Sequence, residues 1–165
     1  MANSNLVVSL PTADVLDLRV RVLRKGTPFT HANYPEDSYP DAVNFCVVRD
    51  GEPVAGALNL RGADALYGRN WGAVVDAPFL HFELCYYRAI DHAIAHGIAR
   101  VEAGAQGEHK IARGYLPVAT FSAHHILHPG LRRAVAEFLD RERPAMASER
   151  EALAAASPYR SEGGG

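Results

Sequence analysis

Apolar positions recur along this chain with a period of two in some stretches and of three to four in others, and the switches between the two mark its elements. Leu6-Val7-Val8-Ser9-Leu10 is a β-branched run halted by Pro11 and predicts a strand. Thr12 then stands as an N-cap, and Val15, Leu18 and Val22 recur at helical steps. A helix over Thr12 to Arg24 follows, with Asp17, Arg19, Arg21 and Arg24 on its wet side. Val43 to Val48 and Pro53 to Leu60 flank Asp50-Gly51, a favoured hairpin turn, and Ala65 to Ala73 adds a third strand to an antiparallel meander. Phe82, Tyr86, Ala89 or Ile90, and Ala93 predict a helix over Phe79 to His96 that Gly97 stops. Ile98 to Ala103 returns as a strand, in a spacing that fits a βαβ crossover.

The last third reads as a glycine turn at Gly104 to Gly107, one helical turn at Glu108 to Gly114, and a strand at Val118 to Leu127. An amphipathic helix over Leu131 to Glu142 then places Leu131, Val135, Phe138 and Leu139 on one face. Beyond Pro144 the Ala and Glu content supports only a marginal helix, and residues 161–165 read as a flexible tail. Between the first helix and the meander, Lys25 to Asp41 is rich in Gly, Pro, Asn and Tyr and shows no sustained period. Connections this long are usually functional covers or partner-binding segments, so this one reads as a lid or as a disordered excursion.

At 165 residues the chain supports one domain, taken as residues 1–160, with a core of ordinary size. Its 17 Lys and Arg against 19 Asp and Glu give a formal charge of -2, which disfavours generic duplex binding. Cys46 and Cys85 lie in apolar runs and read as buried, reduced thiols. The first ten residues lack the features of a secretory signal, and no segment approaches the roughly 20 apolar residues of a membrane span. These features predict a cytoplasmic protein.

The densest polar cluster runs from Glu102 to Lys110 and on to Arg113-Gly114-Tyr115, where a strand ends. Open α/β proteins place ligands at such strand ends, glycines admit close approach to the backbone, and Lys110 and Arg113 supply cations. The plainer reading is a glycine-rich surface turn with solvated charges. His124, His125 and His128 form His-His-x-x-His, and His81 and Glu83 form His-x-Glu, yet on a strand His124 and His125 face opposite sides and no Cys pair supplements them. No metal site is assigned. A dinucleotide fingerprint, a P-loop and a G-x-S-x-G elbow are all missing from the sequence, leaving a transfer or binding site around the glycine turn.

Four motifs, in order, carry a resemblance over about Val54 to Arg143: Tyr67-Gly68-Arg69-Asn70-Trp71-Gly72; His81-Phe82-Glu83-Leu84-Cys85-Tyr86-Tyr87; Gly104-Ala105-Gln106-Gly107-Glu108-His109-Lys110 through Pro117; and Ser122-Ala123-His124. With Ala57-Leu58-Asn59-Leu60 they resemble the FemAB-like predicted N-acyltransferases, a peptidoglycan biosynthesis or recognition family within the wider GNAT acyltransferase fold. The N-terminal third is more similar to small GNAT acetyltransferases.

The resemblance implies an α/β domain with a mixed, mostly antiparallel sheet and flanking helices, and an enzyme that moves an acyl or aminoacyl group from an activated donor to a small-molecule or peptide amine. It implies Lys110 beside the reacting carbonyl, Glu83 or His124 relaying a proton, and Gln106, Gly107, Arg69 and Arg113 holding the donor, with Tyr86, Tyr115 and His109 shaping the substrate cleft. The donor is an acyl-CoA such as acetyl-CoA, used as cosubstrate, or an aminoacyl-tRNA. Arg69-Asn70-Trp71-Gly72-Ala73-Val74 comes close to the GNAT element that holds pyrophosphate, with Val74 in place of its small last residue. Longer members carry two GNAT-like halves, so a shared groove is rebuilt here by homodimerisation or is missing, and a non-catalytic binding module is the alternative.

Overall fold

The structure, a computed structural model, describes residues 6–104 and 108–159, apart from the side chains of Glu36 and Glu108. The tail at residues 161–165 lies outside the described residues. Contacts divide the chain into two compact units, Met1–Ala105 and Gln106–Gly165.

The first unit is built on a five-stranded sheet in sequential order: β1 (Leu6–Leu10), β2 (Ala42–Arg49), β3 (Glu52–Arg61), β4 (Ala65–Ala73) and β5 (Arg100–Glu102). The first four strands pair antiparallel, and β5 joins β4 in parallel, as the crossover spacing predicts. Asp50 and Gly51 both take positive φ, 52° and 84°, the backbone a type I′ hairpin turn needs. On one face Phe45, Val47, Ala55, Ala57 and Leu66 pack with Leu84 and Ala89 into the main core. The alternate residues Cys46 and Gly56 turn to the other face, where Leu18 packs.

The helix predicted at Thr12 opens instead as a 3-10 turn (Thr12–Val15) with Pro11 in the cap position, and becomes α-helical only in α1 (Leu16–Leu23). Thr12 caps nothing because its hydroxyl accepts from the buried Asn44 amide at 3.1 Å. α1 lies close on β4 because Gly72 has no side chain; a Cβ there would overlap Val22. Residues 25–41 fold back onto α1 through an Arg19–Asp37 ion pair, an Arg24 Nε bond to the His31 carbonyl at 3.0 Å, and the buried Ala32. That stretch is therefore anchored.

Across the other face, α2 (Leu80–Phe82), a π-helical turn (Glu83–Tyr87) and α3 (Arg88–Ala95) run on as one helix, with Gly97 in the left-handed region beyond it. β5 is shorter than the strand predicted at 98–103.

In the second unit Glu108–Arg113 forms a 3-10 helix, matching the expected single turn, and Gly114 follows at φ 87° against Tyr159. The strand predicted at Val118 to Leu127 is absent: residues 115–127 carry no regular structure, and Phe121 is 95% exposed. A strand is a pairing property, and among the described residues none pairs with this stretch. α4 (Pro129–Ala155) runs 27 residues, well past the predicted end at Glu142 and straight through Pro144. One proline removes one intrahelical hydrogen bond, and the alanine-rich flanks have propensity enough to carry the helix on. His128 caps α4, its Nδ1 accepting from Leu131 N at 3.1 Å. No helix among the described residues is long and apolar enough to cross a membrane.

Candidate functional site

A concavity in the first unit lies where β4 ends. It is a cleft of about 880 Å³ between the C-terminal end of α1, the loop at residues 74–79 and the start of α2. Arg21 lines it from α1 and Lys25 from just beyond that helix, Trp71 and Gly72 from β4, and Asp76, Phe79, His81 and Phe82 from the loop and helix beyond.

Four local features of the backbone shape this end of the sheet. First, β5 pairs with only the opening residues of β4, Ala65, Leu66 and Tyr67. From Gly68 to Ala73 that edge of β4 has no partner strand among the described residues. Second, Leu58 faces Asn70 and Asn59 faces Gly68, which leaves Arg69 as the extra residue of a β-bulge. Bulges re-aim a side chain and sharpen the local twist, and they favour the neighbourhood of active sites. Third, Phe79 holds a left-handed conformation, φ 65°, just before α2, and a bulky residue there stores strain. The π-turn that follows is a fourth irregularity, of a kind frequent at functional sites.

His81 stands at the cleft wall among aromatic rings, edge-on to Trp71 at 5.1 Å and to Tyr86 at 5.4 Å. Tyr86, expected to shape the cleft directly, is buried and backs His81 instead. Glu83 is salt-bridged to Arg88 at 2.9 Å, which engages its carboxylate. Arg69 is exposed on its bulge. Trp71, His81, Phe79, Arg21 and Lys25 were not singled out as site residues by sequence reasoning. The near-match Arg69-Asn70-Trp71-Gly72-Ala73-Val74 was the signal pointing to this end of β4.

The remaining candidates belong to the second unit, and of these Gln106 and Gly107 lie outside the described residues. Lys110 is half-buried on the 3-10 helix, and desolvation lowers its pKa, making the neutral amine more accessible than in a surface lysine. Arg113 Nη1 donates to the His109 carbonyl at 2.7 Å, and the Tyr115 amide to the Lys110 carbonyl at 3.2 Å, so this motif is knit by its own backbone. His109 and His124 are exposed, and His124 Nε2 lies 2.9 Å from the Ser122 hydroxyl. Burial pushes the Cys85 thiol up to about 12 and Cys46 up to about 11, so neither is a thiolate nucleophile at neutral pH.

Among solved structures, a ribosomal-protein-alanine N-acetyltransferase from Brucella melitensis biovar Abortus 2308 is similar at a TM-score of 0.50 and 13% identity, over 76% of this chain and 99% of that one. An integron cassette protein from the mobile metagenome of V. cholerae is similar at a TM-score of 0.53 and 10% identity, over 81% and 99%. At such identities the likeness shows the fold, the GNAT acetyltransferase architecture of mixed sheet and flanking helices. No curated protein matches the chain in sequence. The profile of the FemAB-like family, described as peptidoglycan biosynthesis/recognition, matches residues 28–161, most of the chain, and the protein belongs to that family.

Proposed function

We propose that this protein transfers an acyl group from an acyl-CoA to the nitrogen of an amine. The observation that carries the reading is the half-open β4 beside the cleft. An exposed strand edge recognises an extended partner through main-chain hydrogen bonds, and the amide-bearing arm of coenzyme A is narrow and extended. Lys25 at the cleft gives its phosphates a cationic partner, while Arg21, which also lines it, is engaged by the Asp17 carboxylate at 2.7 Å and the Pro53 carbonyl at 2.9 Å. An aminoacyl-tRNA donor would need a broader basic surface than a chain of net charge -2 suggests.

The chemistry needs no covalent enzyme intermediate. The neutral amine attacks the thioester carbonyl, a C–N bond forms, the oxyanion collapses, and the C–S bond breaks to release the thiolate, which takes up a proton. His81, at the cleft wall, accepts the proton the amine loses. For the second unit the resemblance alone supports roles, Lys110 toward a reacting carbonyl and Arg113 toward an anionic part of donor or acceptor, with no placement beside the cleft of the first unit.

Thermal shift with coenzyme A, acetyl-CoA, charged tRNA and muropeptide fragments tests the reading. Coenzyme A at a hundred times its Kd should add about 2.7 kcal/mol of stability, and Lys25→Glu should weaken it. Protection by an acceptor alone, with every donor silent, would instead favour a binding module.

A further inference from the structure

Beneath α1, on the face of the sheet away from the main core, lies a second cavity of about 90 Å³. Its lining is mostly apolar: Val15, Leu18 and Leu23 of the first helical segment and Leu58 of β3 among others. It shares Val22, Trp71 and Gly72 with the cleft, so the two voids meet along one wall. Arg19 also lines it, with 12% of its side chain exposed. One terminal nitrogen of Arg19 pairs with Asp37, whereas the other, Nη2, is buried without a hydrogen-bond partner among the described residues. A buried donor left unpaired is costly, which makes Arg19 a strong attractor for an acceptor oxygen.

We infer that this cavity is a subsite for a short, neutral aliphatic acyl group whose carbonyl oxygen accepts from Arg19 Nη2. Asp37 already balances the guanidinium charge, so a second carboxylate would enter uncompensated, while a carbonyl of an amide or thioester supplies the missing acceptor and no charge. Size sets the chain length. A water occupies about 30 Å³ and benzene fits a cavity of about 150 Å³, so the volume suits about three to four carbon atoms, with the carbonyl oxygen at the wall against Arg19 Nη2. A propionyl or butyryl group fits, an acetyl group underfills the space, and a hexanoyl group overruns it. The acyl group has two sources, the donor itself or an amide-bearing part of the acceptor. The inference rests on the proposed transfer only for the first.

Trp71 is the single tryptophan of the chain and borders both voids, so its fluorescence reports on each. Titration of the full-length protein with acetamide, propionamide, butyramide and hexanamide should give tightest binding for the middle pair, at least tenfold over the ends. Leu58→Phe, which fills the cavity from β3, should abolish that preference. Arg19→Met combined with Asp37→Asn, which removes both charges together, should weaken butyramide at least tenfold while the protein still unfolds cooperatively. Acetyl-CoA and butyryl-CoA form the second arm: a butyryl preference that Leu58→Phe erases identifies the donor as the source, and amide binding without it identifies the acceptor. A flat response across both series, or a length preference unchanged in both variants, overturns the cavity assignment. Coenzyme A binding that persists alongside that flat response leaves the donor reading standing; amides that bind while every CoA species fails would reject the donor reading and keep the cavity.

Discussion

The two units spend their residues differently. In the first, β2, β3 and β4 with two helical segments bury Phe45, Val47, Leu66 and Leu84 in a continuous core, and the candidate cleft sits at its rim, where β4 runs on beyond β5. In the second, only Ile111 of the described residues is buried, α4 buries none, and the motif-bearing residues His109 to Tyr115 hang on a 3-10 helix held by local hydrogen bonds. The contrast teaches that stability and candidate chemistry are partly separable here. The sheet supplies a packed core, and the segment after it carries the candidate residues with little packing of their own.

Core truncation should break that contrast most sharply. Leu66→Ala, at a position with no exposed surface, should cost about 2–5 kcal/mol, whereas Phe138→Ala on α4, 51% exposed, should stay within about 0.5 kcal/mol. Denaturant unfolding measures both, and equal losses would dissolve the distinction. Next in size is Lys110→Ala, expected to lower kcat/KM about 100- to 1,000-fold with an unchanged melting temperature. Because burial lowers the lysine's pKa, activity that needs the ammonium should fall on the alkaline side below the ordinary value of 10.5. Lys110→Arg, which stays charged, should remove that limb. Unaltered turnover in the alanine variant would remove Lys110 from the mechanism.

Smaller still, Gly114→Ala forces an L-residue into φ 87° against Tyr159 and should cost about 1–2 kcal/mol; amide exchange in residues 108–159 reads where the loss falls. The smallest expected effect belongs to His92, edge-on to Phe45 and stacked on His96 at 4.0 Å. Desolvation, then His96 and Arg61, lower its pKa below 6.5. The unfolded chain therefore binds the proton first on acidification, so the stability His92 contributes is fully present above pH 6.5 and is lost as pH falls through the native value. His92→Phe should flatten that slope, measured as melting temperature against pH.

How far the sequence spoke for the structure follows the same division. The meander, its Asp50-Gly51 turn and the parallel fifth strand were legible because period and turn chemistry agree with the packing that results. The missing strand at Val118 to Leu127 was illegible for the converse reason: β-propensity is real in those residues, but pairing depends on a neighbour that no local pattern reveals. α4 outran its prediction because Pro144 was weighed more heavily than the alanines beyond it. At the site, the end of β4 was visible as a near-motif, whereas the bulge at Arg69 and the unpaired Gly68–Ala73 edge depend on where β5 stops, a tertiary fact.

A strand edge without a partner has a cost of its own: it accepts a passing polypeptide, and the first unit should be most prone to self-association there. A bound donor would then act as a shield: at equal melting temperature, the liganded protein should clump more slowly than the free one when held warm and concentrated.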